Sequence, residues 1–386
     1  MAYKICVVTG SRAEFGQLLP LINRIKDDKD LSLSLVVTGS HLDKDSGFTK
    51  TEVEASGVVI EKEIPLSHIG QSKTDMIKAT GEAISLFGDY FTENRPDMLV
   101  VLGDRYEIFG VCQAAAMLSI PIAHLCGGET TEGAVDEFIR HSITKMSYLH
   151  FTVTDVYRKR VIQLGEDPKR VVNSGSLNTE NILKLQLMNR EELAKSIDFD
   201  LSGDYSVVTF HPVTLEEDEK QSQLYELIDA MDKFPSMKFI ITKANADAGG
   251  KAVNDVWEKE AKSRPNWIVV ASLGTVRYLS ALKSAKMMLG NSSSGIAEAP
   301  LMHLPSVNIG DRQKGRLMAD SVICCEPDRN SIEEAMKKAL SNSFAEMVKK
   351  TKSPFGDGHA SEIILNTIKE FLNNGIKSTK KTFYDL

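Results

Sequence analysis

A set of acids beside a basic helix face is the first feature of this sequence that points to chemistry. Asp104 follows the apolar run 98–102 within Gly103-Asp104-Arg105-Tyr106-Glu107. A carboxylate at the tip of a buried strand is costly to hold unless it is paired or working. Arg105 is the neighbour that would pair with it in a purely structural reading. A second run, 121–125, leads into Cys126-Gly127-Gly128-Glu129. Asp136 and Glu137 then open an amphipathic stretch in which Arg140 and His141 each lie one helical turn on. Acids at a helix start are common for dipole reasons alone. Together with Asp104 and Glu129, however, they bring three or four carboxylates to one sheet edge. Such crowding raises some carboxyl pKa values, so that one group can be held as acid while another serves as base.

The second half carries residues of a different kind. The run 287–289 ends in Gly290-Asn291-Ser292-Ser293-Ser294-Gly295, with Glu298 one turn into the helix that follows. Three hydroxyls and backbone N–H groups at a helix start form a neutral phosphate cradle. A helix cap needs one serine, not three. Glu298 is placed to accept two hydrogen bonds from a ribose diol. His211 stands at a strand end before Pro212, and Arg312 and Arg316 lie in a loop after the run 306–309. These arginines suit a diphosphate, although a solvated basic loop explains them equally well. The first loop, Thr9-Gly10-Ser11-Arg12-Ala13-Glu14-Phe15-Gly16, resembles a phosphate turn, with Ser11 as cap in the plainer reading. It is neither G-x-G-x-x-G nor a Walker loop, which counts against a nicotinamide dinucleotide and against ATP hydrolysis. Nucleotide-binding residues therefore gather in the second half and acids in the first. A ligand between two domains would place its phosphates toward Ser292, Ser293 and Ser294 and its sugar toward Asp104 and Asp136.

The elements that position these residues follow one rhythm. Short β-branched runs (5–9, 33–38, 98–102, 121–125) alternate with helical spacings such as Leu18, Leu19, Ile22 and Ile25, the long stretch 74–93 and the amphipathic 135–147. After a turn-rich pause around 165–204 the rhythm restarts, with strands at 207–210, 239–242, 268–270, 287–289 and 306–309 and helices near 217–233, 251–262, 275–284 and 331–340. This predicts an α/β chain of two doubly wound, Rossmann-like domains, 1–178 and 179–386, hinged near 175–200. The final helix, about 360–373, can pack on either. In such folds ligands sit at the carboxyl ends of the strands, where the polar residues above are found.

Bulk properties narrow the function further. A length of 386 residues exceeds what one compact core holds, and 42% apolar content predicts folding throughout. A net charge of -7 argues against nucleic acid or an anionic membrane as partner. No apolar stretch approaches the ~18 residues of a membrane span, and the first one is too short for a signal peptide. The cysteines (6, 112, 126, 324 and 325) form no C-x-x-C pair, which suits a reducing cytoplasm and predicts core packing for Cys6 and Cys112.

Seven motifs in order carry a family resemblance: Gly10-Ser11-Arg12-Ala13-Glu14, Gly103-Asp104-Arg105-Tyr106-Glu107, Gly127-Gly128-Glu129, Asp136-Glu137-Phe138-Ile139-Arg140-His141, His211-Pro212, Gly290-Asn291-Ser292-Ser293-Ser294-Gly295 and Gly310-Asp311-Arg312-Gln313-Lys314-Gly315-Arg316. With them the chain resembles the UDP-N-acetylglucosamine 2-epimerase family, in particular its hydrolysing branch, over nearly its whole length. The resemblance implies a glycosyltransferase-B type fold and a UDP-sugar substrate, with no cofactor and no metal. It also implies anti elimination of UDP, hydration of a 2-acetamidoglycal, and a homo-oligomer, dimer or tetramer. By motif, Asp104, Glu129 and Asp136 would handle the C2 proton and the water. His211 would stabilise the leaving diphosphate with Arg12 beside it, and Arg105 and Arg140 would join as substrate-binding cations. Ser292, Ser293, Ser294, Glu298 and Arg312 would hold UDP, with Tyr278 or the backbone near Ser272 to Gly274 on the uracil. Many relatives have a glutamate where this chain has Cys126, so that role passes here to Glu129. Gln17 stands where the non-hydrolysing branch has a lysine, which favours hydrolysis. Rival readings are the same reaction on a 4-acetamido-4,6-dideoxy analogue, a non-hydrolysing epimerase, a retaining glycosyltransferase and a catalytically silent nucleotide-sugar sensor.

Overall fold

Among the described residues every strand pairs in parallel, so each sheet must be covered on both faces. The structure, a computed structural model, describes residues 2–43, 48–68, 73–130, 135–211, 219–243, 250–271, 273–375 and 379–386. Two compact units result, one of residues 1–181 with 355–386 and one of residues 182–354.

The first unit holds a seven-stranded sheet built from β1 (Tyr3–Thr9), β2 (Leu31–Val37), β3 (Lys62–Glu63), β4 (Met98–Leu102), β5 (Ile122–Leu125), β6 (Leu149–Thr152) and β7 (Val171–Asn173). Its order is β3-β2-β1-β4-β5-β6-β7. The winding therefore reverses between β1 and β4, the position at which folds of this kind bind ligands beside the strands' carboxyl ends. Successive β1 side chains point to opposite faces. Ile5 and Val7 enter one apolar core, and Cys6 and Val8 enter the other. Cys6 and Cys112 share that second core and serve as packing groups, as expected. Burial pushes the Cys6 thiol up to about 12.

The second unit repeats the plan with β8 (Tyr205–Thr209), β9 (Lys238–Thr242), β10 (Trp267–Val270), β11 (Met287–Gly290), β12 (Ser306–Ile309) and β13 (Val322–Cys325), in the order β10-β9-β8-β11-β12-β13. Its reversal lies between β8 and β11. Tyr205 and Val207 face one core, Val208 and Phe210 the other. Two doubly wound α/β units are thus the fold the periodicity predicts. Among the described residues no helix is long and apolar enough to cross a membrane.

The stretch read as a turn-rich pause is in fact structured. It contains β7 and the helices Leu177–Lys184 and Arg190–Ile197. The second of these opens on a capping box, Asn189 with Glu192, whose two reciprocal bonds satisfy N–H groups that the first turn leaves open. The final helix, Ala360–Asn373, belongs to the first unit and packs on the helix Arg12–Asp27. Glu180, fully buried, accepts from Ser361 N and from Ser361 Oγ at 2.7 Å each. This carboxylate supplies the acceptor that the first turn of the final helix lacks. Arg24 Nε adds a bond to Ser361 Oγ at 2.7 Å. Glu180→Ala leaves those donors buried and unpaired, and we expect it to cost about 3 kcal/mol, read as the urea midpoint at unchanged slope. A loss under about 0.5 kcal/mol would show that the anchor is dispensable.

Candidate active site

The carboxyl ends of β4 and β5 and the helix Val135–Met146 meet at one guanidinium. Arg140 is 5% exposed. It pairs with Asp104 through Nη2, and Nη1 donates to the Glu129 carbonyl at 2.9 Å and to Glu137 Oε2 at 3.4 Å. Glu137 Oε1 lies 3.2 Å from His141 Nε2, one turn away as the spacing predicts. Burial raises the Asp104 carboxyl above its ordinary range, Arg140 opposes the rise, and the charge of Asp136 adds to it. Of the expected acids, Asp104 meets Arg140 through its carboxylate, Glu129 meets it through a backbone carbonyl, and Asp136 is exposed within electrostatic reach of Asp104; one pairing differs from the expected one. Asp104 takes Arg140 as its partner, whereas Arg105 pairs with Glu107. Arg105 is the N-cap residue of the helix Tyr106–Met117, and its side chain turns to the next acid in that helix.

His124, fully buried in β5, ties the same elements through neutral bonds. Its Nε2 lies 2.8 Å from the Gly103 carbonyl and its Nδ1 3.3 Å from Thr144 Oγ1. Burial lowers the imidazole to about 3, which keeps it uncharged. Sequence reasoning missed His124, because a histidine inside a short apolar run reads as core.

It also missed a second carboxyl pair, at the β1–β4 reversal. Glu107 is fully buried and Glu14 is 5% exposed. Glu14 Oε2 accepts from Gly10 N at 2.9 Å and from Ser11 Oγ at 3.1 Å, and Ser11 Oγ in turn caps the helix. Glu107 packs on the same turn so closely that a Cβ on Gly10 would stand 2.7 Å from Oε1. Gly10 is thus needed here for a carboxylate. Burial first, then the charge of Glu107, raises the Glu14 carboxyl to about 8, with Arg105 opposing. Arg12 is three-quarters exposed and pairs with Glu52 at 2.9 Å.

In the second unit the β8–β11 reversal brings His211 and Asn291 together. The Asn291 side chain accepts from His211 N at 2.7 Å and donates to His211 O at 2.8 Å, so the histidine's backbone is held from both sides. Arg312 Nη1 and Gln313 Nε2 both donate to the Asn291 carbonyl, at 3.1 and 2.8 Å. The three serines differ in setting. Ser293 is exposed and makes no side-chain cap bond, Ser292 is half-buried, and Ser294 is buried beside Tyr278 and Glu298. Burial pushes the Tyr278 hydroxyl up to about 12 and raises the Glu298 carboxyl, with Ser294 opposing both. Pro212 and Ser272, named in the motifs above, lie outside the described residues.

Known proteins resemble this chain in sequence and in fold. The family described as UDP-N-acetylglucosamine 2-epimerase matches residues 23–369. The chain belongs to that family. It is 41% identical over 88% of each chain to the GDP/UDP-N,N'-diacetylbacillosamine 2-epimerase (hydrolyzing) of Campylobacter jejuni. It is also 39% identical to the polysialic acid biosynthesis protein P7 of Escherichia coli, over 99% of this chain and 97% of that one. These relatives place this epimerase-family enzyme in the hydrolysing branch. Among solved structures, the UDP-GlcNAc 2-epimerase of Neisseria meningitidis bound to UDP-GlcNAc superposes with a TM-score of 0.80 at 18% identity, over 95% of this chain and 100% of that one. That likeness establishes the fold, of glycosyltransferase-B type.

The Glu14 carboxyl gives this epimerase-family chain a pH signature. It keeps its proton to about pH 8 when folded and ionises near the ordinary 4.5 when unfolded. The folded state therefore binds the extra proton in that window, and stability falls as pH rises through it. Glu14→Gln removes this contribution, so urea midpoints from pH 5 to 8 should fall less steeply in the variant than in the parent. Parallel slopes would show that Glu14 ionises normally.

Proposed function

We propose that the chain converts UDP-N-acetylglucosamine and water to N-acetylmannosamine and UDP. The observation that carries this reading is the cluster at the buried Arg140, where the Asp104 carboxylate and the Glu129 carbonyl meet and Asp136 lies within electrostatic reach of Asp104. The C2 proton of the sugar is not acidic, so departure of UDP leads. The C1–O bond breaks, its electron pair leaves on the diphosphate, and C1 takes on oxocarbenium character. Carboxylates at this point stabilise the cation and then accept the C2 proton, forming the C1–C2 double bond of a 2-acetamidoglycal. Water then adds its hydroxyl to C1, and a proton returns to C2 on the opposite face.

Asp104, Glu129 and Asp136 divide these proton transfers. Burial raises the Asp104 carboxyl, the direction that suits a group carrying a proton during the reaction. His211, with its backbone fixed by Asn291, neutralises the leaving diphosphate together with Arg12, Arg105 and Arg140. Ser292, Ser293, Ser294, Glu298, Tyr278 and Arg312 hold UDP. The reaction creates and consumes no redox equivalents, so it needs no nicotinamide. Free cysteines suit a reducing cytoplasm, and we place the enzyme there as a homo-oligomer.

Similarity to the UDP-N-acetylglucosamine 2-epimerase of Neisseria meningitidis, 32% identical over 88% of each chain, supports N-acetylglucosamine as the sugar. The Campylobacter relative, named for diacetylbacillosamine, favours a second reading in which C4 carries an acetamido group and C6 is deoxygenated. Proton NMR in deuterated water separates the two. Free N-acetylmannosamine with deuterium at C2, alongside UDP, is expected from UDP-N-acetylglucosamine. Turnover of the 4-acetamido analogue alone would establish the second reading, and a UDP-linked epimer without free sugar would overturn hydrolysis. Asp104→Asn should lower the rate of UDP release about 10³-fold while UDP still binds, checked by single-turnover kinetics and calorimetry.

A further inference from the structure

Residues 379–386 form neither helix nor strand, yet they engage the far end of the helix that carries Asp136 and Arg140. Lys381 Nζ donates to the carbonyls of Lys145 and Ser147 at 2.7 Å each and contacts both oxygens of Glu166 at 2.9 and 2.8 Å. The last turn of a helix leaves carbonyls without partners and presents the negative end of its dipole, and an ammonium answers both needs. Glu166 is 1% exposed and also receives Lys145 Nζ at 2.6 Å and His150 Nε2 at 3.0 Å. A carboxylate so deeply buried needs these donors, one of which arrives from more than two hundred residues downstream.

Two more contacts show that the segment is seated. Tyr384 N donates to the Gly165 carbonyl at 3.0 Å. The Phe383 ring lies over Gly165, where a Cβ would meet it at 2.3 Å and where φ is +86°. Glycine suits both the positive φ and the close approach of this ring, which is itself 66% exposed. Lys145 Nζ stands 5.2 Å from the centre of the same ring.

We propose that residues 379–384 clamp the carboxyl end of the helix Val135–Met146, with Lys381 as a positioning residue for the reaction. The clamp acts through the helix, because Arg140 must meet Asp104 at the tip of β4 while Asp136 stays near that carboxyl. A displacement of about 1 Å in such a group can cost 10²-fold in rate. This inference rests on the reaction proposed above, so its test includes a readout independent of substrate.

The experiment compares the full chain with Lys381→Met, Lys381→Arg and a chain ending at residue 378, by UDP-release kinetics and by hydrogen exchange of the Val135–Met146 amides. Lys381→Met and the shortened chain should lose at least tenfold in kcat, keep KM within twofold, and exchange those amides faster. Lys381→Arg should retain most of the activity. A synthetic peptide of residues 379–386 should restore the shortened chain. A lower Tm with unchanged kcat would mean a purely structural tail and would overturn the proposal, as would unchanged exchange. If the full chain itself releases no UDP, the substrate reading fails and the exchange data alone decide the clamp.

Discussion

A guanidinium at 5% exposure can remain inside a protein only if acceptors surround it, and much of the first unit's site follows from housing Arg140. An unpaired charge there would cost several kcal/mol. Asp104, Glu137 and the Glu129 carbonyl are therefore required where they stand. They come from the tip of β4, from the helix Val135–Met146 itself and from the loop after β5, so one side chain fixes three elements. The neutral His124 repeats the tie without charge, joining the Gly103 carbonyl to Thr144. A charged tie makes the position sensitive to its electrostatic surroundings. A neutral one keeps the backbone in place whichever proton moves.

The second unit meets a similar geometric demand by other means. Asn291 grips the His211 backbone through a neutral amide, and Arg312 and Gln313 grip the Asn291 backbone in turn. Charge is spent here more sparingly, which fits groups meant to receive an anion that brings its own charge. Acids would repel the diphosphate proposed to bind there, and burial raises the carboxyl of the half-buried Glu298, the direction that lessens such repulsion. The sorting of residue types between the halves of the sequence thus has an electrostatic logic.

What the sequence made legible was whatever one periodicity could encode. Met98–Leu102 and Ser306–Ile309 are buried throughout and read directly as strands. Leu149–Thr152 was hidden because His150 interrupts its apolar pattern, and only the fold reveals that Glu166 receives that imidazole. The helix Arg190–Ile197 was hidden by polar residues, although Asn189 and Glu192 spell a capping box. Pairings were less legible than elements. Arg105 adjoins Asp104 in sequence, yet the helix start turns its side chain to Glu107. The partner that Asp104 does take lies 36 residues on and is brought there by the packing of a crossover helix. Adjacency in the chain is a poor guide wherever a strand passes into a helix, because the chain changes direction at that residue.

Cys126 makes the same point about chemistry. It stands where many relatives of the resembling family have a glutamate, at a φ of +66° that side chains other than glycine rarely adopt. Its thiol is held well above its ordinary pKa, by burial first and then by the charges of Glu129 and Asp104. A thiol so disfavoured as an anion neither accepts a proton near neutral pH nor attacks C1. Cys126 therefore supplies no base to the loop. The rise also records that Glu129 and Asp104 each lie within electrostatic reach of Cys126. The Glu129 carbonyl is already fixed by Arg140. A carboxylate anchored by its own backbone, three residues along the loop, is the group best able to take the vacated role. Within the proposed reaction, this anchoring favours Glu129 as the third acid beside Asp104 and Asp136.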